Sequence, residues 1–503
     1  MTYLRWLVKG ILGLVILIIV AAAGLWLFLP DRYVVNTPLR ALFETQPVNV
    51  SALDNRLKLP PGFSLSLYAT DLDGIRVLRF TPTGDLIVST PRTGKVWLVR
   101  PIAGNGGTEK RVLLENLNRP HGIEVNEGWL YIAETDAVGR VAFDIKTGTT
   151  SGDFQRIVNF PGGGMHWTRT LRRGPDGWFY LTVGSNCNAC EDIPLRAAMH
   201  RFKADGSEFE TFATGLRNSV DFGWAPWDNR LYATDNGRDL LGDNLPPCEL
   251  NQVVKDGFYG WPYSWGDRQP DPDLGANNPG RVENSIGPVH DFKAHTAPLG
   301  MTFLNGKNLL AEFQRSALVA QHGSWNRTKK SGYRLISLHW DSAGAITERD
   351  FLTGFEVNEQ VIGRPAFVEQ GPDGAIYISD DFTGSIYRVG YGEGRKHAGI
   401  AASQHMPDED KNAQLPMVEL SAEDLAQEIA KGDQLYQQYD CASCHDPARA
   451  GEAVITVPLV NLAERYSRQS MSEFLATPTP PMPAFPLTTE DRDALANYLL
   501  KAP

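Results

Sequence analysis

Two cysteines and a histidine near the end of the chain have the spacing Cys441-Ala-Ser-Cys444-His445. This is the attachment pattern of haem c, in which both thiols bond to the haem vinyl groups and the histidine ligates the iron. The second axial ligand of such an iron is commonly a methionine. Met482, in a proline-rich stretch, is the predicted ligand, and Met471 is the nearby alternative. A chance match or a zinc-binding cysteine pair is the other interpretation of the motif.

Sequence that favours helices flanks this motif on both sides. Residues 422–439 have helical periodicity, and Thr489 is the predicted N-cap of a last helix. In the order of helix, CxxCH, Met-Pro and closing helix, the segment resembles a small class I cytochrome c. The resemblance implies an all-α, electron-carrying cytochrome c domain at 425–503. A linker that is poor in apolar residues is predicted at 391–424.

The chain between residues 58 and 390 repeats one pattern: a short β-rich run, a turn with glycine or polar residues, and a second run. GDLIVST at 84–90, followed by GKVWLV at 94–99, is the first of six such units. Alternation of β-branched or aromatic residues with others is typical of strands. Six units predict an all-β six-bladed β-propeller over residues 31–390. A pair of β-sandwiches is the alternative.

An uncharged stretch lies close to the N-terminus, at residues 10–29. It is long enough for a helix that crosses a bilayer core of about 30 Å. Arg5 and Lys9 precede it, and the positive-inside rule therefore leaves the N-terminus in the cytoplasm. We expect residues 1–30 to be a single-pass transmembrane helix in the inner membrane, with the rest of the chain in the periplasm. A signal peptide cleaved near the three alanines at 21–23 is the alternative.

A second cysteine pair, Cys187-Asn-Ala-Cys190, is followed by Glu191 and therefore lacks a haem histidine. In an exported chain a local disulfide is the expected state of such a pair. A free pair or a metal site is the alternative. Cys248 is then the odd cysteine, and the sequence assigns it no role.

Several longer blocks carry a resemblance to a known superfamily. They include MHWTRTLRRGPDGWFYLTVGSNCNAC at 165–190, GLRNSVDFGWAP at 215–226, NGRDLLGDNLPP at 236–247 and QHGSWNR at 321–327. In this order they resemble the six-bladed pyrroloquinoline-quinone (PQQ) dehydrogenases, which include soluble glucose, aldose sugar, and sorbosone or pyranose dehydrogenases. The resemblance spans nearly the whole predicted propeller and implies a PQQ-dependent sugar dehydrogenase.

The resemblance implies that His166 is the catalytic base, which takes a proton from the anomeric hydroxyl of a sugar while hydride passes to the quinone. Imidazole suits this role because it titrates near neutrality; a core or surface histidine is the alternative. Two neighbours depart from the family pattern. Ser185 stands where soluble glucose dehydrogenase has an aspartate that orients the base, and Met165 replaces another aspartate. The orientation of the base is therefore unexplained by the sequence.

The resemblance also implies which residues hold PQQ, whose carboxylates need cationic partners. Arg217 and Asn218 match an Arg-Asn pair that contacts the quinone, and Arg364 matches a second arginine. Arg327 or His322 would replace a lysine of soluble glucose dehydrogenase. The remaining predicted contacts, for which an ordinary structural role is the alternative, are His121 and Arg169.

In the family a calcium ion, held largely by main-chain oxygens, polarises the quinone carbonyl. The carbonyls of Gly237 and Arg238 match those donors. Asp239, Asp243 and Glu249 add carboxylates close by in sequence. The resemblance therefore implies a calcium site in this loop, and a solvated acidic turn is the alternative.

These features predict a membrane-anchored periplasmic enzyme that oxidises an aldose, a pyranose or a related sugar aldehyde to a lactone or acid. Electrons would pass from PQQ through haem c to a respiratory acceptor: the quinone pool, a cytochrome or an oxidase. The charge of −11, from 48 Lys and Arg against 59 Asp and Glu, argues against a general nucleic-acid binder. The alternative is a non-catalytic propeller–cytochrome protein that has lost PQQ. A propeller lactonase or hydrolase would leave the haem without a purpose.

Overall fold

The computed structural model describes residues 31–38, 45–102, 107–306 and 310–392 and, nearer the C-terminus, 422–445, 459, 462, 466, 468–476, 478, 485 and 487–501. The chain divides into two compact units, Met1–Ser403 and Gln404–Pro503. The first unit is rich in strands and the second is helical.

Six sheets in the described part of the first unit are the blades of a propeller, each with four antiparallel strands, and one of them has a short fifth strand. Blade 1 has strands Leu78–Phe80, Leu86–Thr90, Lys95–Pro101 and Thr108–Leu114; blade 2 has Ile123–Asn126, Trp129–Ala133, Ala137–Asp144 and Thr149–Asn159. Blade 3 has Leu171–Arg173, Phe179–Val183, Ala198–Phe202 and Glu210–Thr214; blade 4 has Phe222–Trp224, Leu231–Asp235, Cys248–Val253 and His290–Phe292. Blade 5 has Pro298–Phe303, Ser316–Gln321, Arg334–Trp340 and Ile346–Leu352; blade 6 has Pro365–Gln370, Ile376–Asp380, Ser385–Tyr391 and Phe63–Ala69.

Blade 6 is assembled from both ends of the propeller sequence. Its outermost strand, Phe63–Ala69, pairs antiparallel with Ser385–Tyr391, so that Phe63 lies opposite Tyr391. This pairing closes the ring of blades. The predicted six-bladed propeller is therefore confirmed, and the alternative of two β-sandwiches is wrong.

Apolar side chains fill the space between neighbouring blades. Leu98 of blade 1, for example, shares one buried cluster with Ile132 and Val141 of blade 2. The second strand of several blades is buried along its whole length, as in Leu86–Thr90. That burial explains the unbroken β-rich run LIVST in the sequence, since neither face of this strand meets water. The turn before it needs Gly84, whose φ of 92° is in the left-handed region.

The remaining elements of the first unit are short. Gly257–Phe258 adds in parallel to the last strand of blade 3. Two-stranded ribbons and small helices lie in the loops: Ser264–Trp265 with Gln269–Pro270, Glu356–Val357 with Gln360–Val361, and the helices Asp31–Tyr33, Val50–Arg56, Pro279–Glu283 and Ala311–Phe313.

The second unit contains the helices Ala422–Gln438, Ala442–His445, Arg468–Ala476 and Thr489–Lys501. The first and last of these cross at Gly432, where an added Cβ would lie 2.3 Å from the Ala494 carbonyl oxygen. The first helix, Ala422–Gln438, agrees with the helical periodicity at residues 422–439. The predicted N-cap of the last helix is one residue off. Thr488 is the capping residue, because its Oγ1 accepts from the Asp491 N–H while Asp491 accepts from the Thr488 N–H.

The transmembrane segment predicted at residues 10–29 lies outside the described residues. None of the helices that are described is both long enough and apolar enough to cross a bilayer. Most of the linker predicted at 391–424 also lies outside them.

Candidate active site

A cleft of about 760 Å³ is lined by loops that lead into the innermost strands of several blades. Residues 165–168 precede the first strand of blade 3, and Arg217, Asn218 and Val220 precede that of blade 4. Such entry loops are expected at one end of the propeller, around its axis. Met165 and Trp325 are exposed at the cleft wall.

His166 lines this cleft and has a defined tautomer. Its Nδ1 lies 3.0 Å from the Ser185 carbonyl oxygen and 2.8 Å from Ser185 Oγ. A carbonyl oxygen can only accept, so Nδ1 carries the proton and Nε2 is left as the acceptor. Burial, with the charge of Arg217 as the second cause, lowers the pKa of His166 to about 3. The imidazole is therefore neutral at neutral pH and can accept a proton. The main-chain oxygen and the hydroxyl of Ser185 therefore orient the His166 imidazole, which an aspartate orients in soluble glucose dehydrogenase.

Arg217 also lines the cleft, and protein oxygens surround its guanidinium. Nε donates to the Asn188 carbonyl (2.9 Å), and Nη1 donates to the carbonyls of Asn236 (3.1 Å) and Gly237 (2.9 Å). Nη2 donates to Asn188 Oδ1 (2.9 Å) and lies 3.4 Å from Asp239 Oδ2. Every N–H donor of the guanidinium thus has a partner in the protein. In this arrangement Arg217 contributes its positive charge to the cleft, and its N–H groups are engaged by the cleft walls.

Asn218 lines the cleft beside Arg217, and Asp235 sets the shape of this turn. The Asp235 carboxylate accepts from the main-chain N–H groups of Arg217 (2.8 Å) and Asn218 (2.5 Å). Burial, followed by repulsion from Glu249, raises the pKa of Asp235 to about 8. The buried Oδ1 of Asn218 has no hydrogen-bond donor among the described residues. This oxygen has almost no exposed surface, so it is a buried acceptor that a ligand in the cleft does not reach.

A buried ionic network forms another part of the wall. Arg364 donates to both oxygens of Asp381, at 2.8 and 3.1 Å. Arg76 lies 2.8 Å from the same carboxylate, and His322 Nε2 lies 3.0 Å from it. Burial, followed by the charge of Arg364, lowers the pKa of His322 to about 3. With a neutral histidine, two guanidiniums share one carboxylate, which leaves this part of the cleft with an excess positive charge.

Arg76 and His322 line the cleft in this network, whereas Arg364 lies behind them. We did not predict a role for Arg76 from the sequence. The one available signal was a charged residue in the run GIRVLRF just before the first strand of blade 1, next to residues that are buried.

Three of the other residues that the resemblance suggested as PQQ contacts do not line the cleft. Arg327 donates to the carbonyls of Asp243 and Lys329. His121 is buried, with Nδ1 3.2 Å from the Arg169 carbonyl oxygen, and burial lowers its pKa to about 3. Arg169 is fully buried and donates to the carbonyls of His166 and Thr168. These side chains lie behind the cleft and pair with main-chain oxygens through some of their nitrogens, whereas His121 Nε2 and Arg169 Nε and Nη2 have no hydrogen-bond partner among the described residues.

The residues proposed for calcium are not brought together. Asp243 accepts from the N–H and hydroxyl of Thr328, and buried Glu249 accepts from the Gly266 N–H (2.7 Å) and from Asn251 (3.1 Å). The Arg238 guanidinium pairs with Asp271 and Asp273. Asp239 and Gly237 alone of the set line the cleft, and both contact the guanidinium of Arg217. These two oxygens therefore face a protein cation, and the calcium site, which also involves the Arg238 main-chain carbonyl, stays a prediction.

The expected disulfide is present, because Cys187 and Cys190 are bonded to each other. These two residues and Asp192 are the one group of potential metal ligands that lie close together within the described residues. The disulfide leaves the two sulfurs without thiolate character. Cys248 is buried at the cleft, and burial raises the pKa of its thiol to about 11.

In the helical unit, Cys441 directly precedes the short helix Ala442–His445, and the His445 N–H donates to the Cys441 carbonyl oxygen (3.1 Å). The CxxCH motif is therefore one helical turn, which suits attachment to a single haem edge. Met471 is buried in the apolar core of this unit with Leu435 and Leu495. Met482 lies outside the described residues.

Comparison with known families accounts for both units. Residues 57–254 and 276–391, more than half of the chain, match the family model described as TrAA12-like. The chain belongs to the TrAA12-like family. Residues 427–499 match the model of cytochrome C oxidase, cbb3-type, subunit III. The TrAA12-like propeller is thus followed by a cytochrome c domain, as the sequence predicted.

Individual relatives agree with this assignment. An uncharacterised protein of Borreliella burgdorferi is 28% identical over 371 residues, which cover 70% of this chain and 96% of that protein. A pyrroloquinoline quinone-dependent pyranose dehydrogenase of Coprinopsis cinerea is 26% identical over 354 residues, 56% of this chain. The match spans about half, 47%, of the length of that relative.

Solved structures share the TrAA12-like propeller fold. The PQQ domain of the Coprinopsis cinerea pyranose dehydrogenase superposes with a TM-score of 0.56 at 21% identity, over 66% of this chain and 97% of that domain. A calcium structure of a Trichoderma reesei family AA12 protein gives a TM-score of 0.58 at 19% identity, over 67% and 97% of the two chains. The resemblance to six-bladed PQQ sugar dehydrogenases is thereby confirmed.

Proposed function

We propose that this protein is a PQQ-dependent dehydrogenase that oxidises a pyranose or related aldose and passes the electrons to its own haem c. The observation that carries the proposal is the state of His166. Its Nδ1 is fixed as a donor to Ser185, so that an unprotonated Nε2 remains as the acceptor at a cleft rich in positive charge. A neutral, oriented imidazole is what removal of a proton from a sugar hydroxyl requires.

The cleft suits an anionic cofactor such as PQQ, which carries three carboxylates. Arg76 has one carboxylate partner, Asp381, which it shares with Arg364. The excess charge at this wall would hold a cofactor carboxylate. When bound, PQQ supplies an ortho-quinone that accepts the two electrons and the hydrogen lost from the sugar carbon.

The residues of the chain would then act as follows. His166 Nε2 takes the proton of the anomeric hydroxyl, and the Ser185 carbonyl, which accepts from Nδ1–H, stabilises the imidazolium that forms. Arg217, fixed by the cleft walls, stabilises negative charge that develops nearby without any rearrangement. An aldose oxidised in this way leaves as a lactone.

We also propose a location and an electron acceptor. The uncharged stretch at residues 10–29 would be a single-pass inner-membrane anchor, with the propeller and the haem domain in the periplasm. The disulfide Cys187–Cys190 supports an oxidising compartment. Haem c, held by Cys441, Cys444 and His445 with Met482 as the predicted axial ligand, would pass single electrons to a respiratory acceptor.

The test is reconstitution of the full-length protein with PQQ. Apoprotein with PQQ, Ca²⁺ and a panel of aldoses should bleach an artificial electron acceptor, and the haem should become reduced when no acceptor is added. The matched control is the protein without PQQ. If PQQ binds and no aldose reduces either the dye or the haem, the proposed activity is wrong. If PQQ does not bind, the non-catalytic alternative is correct.

A further inference from the structure

The turn closed by the disulfide lies directly against the cleft. Cys187 and Cys190 are bonded across two residues, Asn188 and Ala189, and all four are half-buried. Ser185, just before this turn, holds the Nδ1 of His166, and its own hydroxyl donates to the Cys187 carbonyl oxygen (2.8 Å). One end of the turn is therefore connected to the proposed base.

The side chain of Asn188 makes contact with two other segments of the cleft wall. Its Oδ1 accepts from Arg217 Nη2 (2.9 Å) and from the Asp239 main-chain N–H (2.7 Å). Its Nδ2 donates to the Asp239 carbonyl oxygen (3.0 Å). The Asn188 carbonyl oxygen accepts from Arg217 Nε (2.9 Å). One residue thus supplies two of the acceptors of the Arg217 guanidinium and both main-chain partners of Asp239.

These contacts need the turn to keep its shape. A four-residue turn on the surface has many alternative conformations, and a cross-link between its ends removes most of them. The amide of Asn188 must satisfy a guanidinium and a peptide group at the same time, which only a narrow range of turn geometries permits. The disulfide is therefore placed where it limits the motion of the residue that the cleft depends on.

We propose that Asn188, held in the disulfide-closed turn Cys187–Cys190, is a positioning residue that fixes Arg217 and Asp239 at the cofactor cleft. The proposal rests on the proposed function for its effect on turnover, whereas its effect on the apoprotein does not depend on that function. A cross-link that only stabilises a surface loop would leave the cleft unchanged when Asn188 is altered.

The experiment compares three variants with the wild type in the full-length protein: Asn188→Ala, Asn188→Asp and the double variant Cys187→Ala/Cys190→Ala. Asn284→Ala is the matched control, because Asn284 also donates from its amide to a main-chain oxygen, that of Gly280, in a segment away from the cleft. Hydrogen exchange of the Asp239 amide is measured in each apoprotein. The dissociation constant of PQQ is measured by titration, and kcat and KM are measured for a sugar.

Asn188→Ala should speed exchange at Asp239, weaken PQQ binding about tenfold and lower kcat by about tenfold to a hundredfold, with the sugar KM little changed. Asn188→Asp should retain part of the exchange protection and PQQ affinity, because a carboxylate still accepts from Arg217 and from the Asp239 N–H but cannot donate to the Asp239 carbonyl oxygen. The double cysteine variant should shift in the same direction as Asn188→Ala, and Asn284→Ala should match the wild type.

Wild-type exchange at Asp239 in Asn188→Ala would overturn the proposal. So would a loss in Asn188→Asp as large as in Asn188→Ala, because the residue would then be merely structural. If Asn188→Ala does not fold, the same measurements are made on the double cysteine variant, and wild-type exchange at Asp239 in that variant would overturn the proposal. Wild-type protein that fails to bind PQQ or to turn over sugar would refute the proposed function and leave the exchange result to decide the role of Asn188.

Discussion

Replacement of Ser185 by alanine separates two contributions to the orientation of His166. The imidazole Nδ1 has two acceptors on one residue, the main-chain oxygen at 3.0 Å and the hydroxyl at 2.8 Å. Ser185→Ala removes only the hydroxyl, so the main-chain oxygen still fixes the proton on Nδ1. A neutral hydrogen bond contributes about 1 kcal/mol net, which corresponds to about a fivefold decrease in kcat. His166→Ala removes the base and should lower kcat by about a hundredfold or more.

The assay is steady-state oxidation of the best aldose with an artificial acceptor, after PQQ saturation of each variant. PQQ saturation is needed because Ser185→Ala also removes the donor to the Cys187 carbonyl oxygen and could weaken cofactor binding. A loss in Ser185→Ala equal to that in His166→Ala would refute the argument that a main-chain oxygen sets the tautomer. Wild-type turnover in His166→Ala would remove His166 as the base.

Three further predictions concern stability and haem. Burial lowers the pKa of His121 in the folded protein from 6.5 to about 3. Between these two pH values the unfolded chain binds a proton at His121 that the folded chain does not bind. The His121 contribution to the free energy of unfolding should therefore fall as the pH drops from about 6.5 towards 3. The fall is about 1.4 kcal/mol per pH unit in the middle of that window, and urea unfolding of wild type and His121→Asn at several pH values measures it. Asp381→Asn leaves Arg76 and Arg364 without their shared counterion and should destabilise the propeller by about 3–5 kcal/mol, again by urea unfolding. Cys441→Ser combined with Cys444→Ser should abolish haem staining on a denaturing gel, whereas wild type that never stains would refute the haem c assignment.

Strand patterns were sufficient to predict the blades, because a strand buried between neighbours needs an unbroken β-rich run, as at Leu86–Thr90. The CxxCH motif was likewise sufficient to predict haem c attachment, because the two thiols and the histidine are close together in sequence at a fixed spacing. The three carboxylates that we proposed for calcium do not cluster within the described residues, for the opposite reason. Asp239, Asp243 and Glu249 are close in sequence, yet the Asp243 side chain bonds to Thr328, which is far along the chain. Proximity in sequence does not predict convergence when a loop is held by distant partners.

Arg76 and Ser185 are the reverse case, because both contribute to the site although sequence patterns did not predict it. Arg76 contacts Asp381, and their meeting depends on closure of the ring from its two ends. Ser185 orients His166 partly through a main-chain oxygen, which any residue type supplies. A comparison of side-chain types at position 185 therefore detects the change from aspartate to serine. It does not reveal that the main chain of Ser185 still contacts Nδ1 of His166.

The last blade pairs the strand Phe63–Ala69 with Ser385–Tyr391. The first propeller strand to be synthesised therefore has no partner until the last strand has been synthesised. Until residue 391 has been made, the edges of both end strands stay exposed and are open to pairing with other chains. Contacts of such large sequence separation also slow folding. Production of the protein should therefore depend on factors that shield nascent strands, and truncation within the final blade should give aggregates, not a smaller propeller.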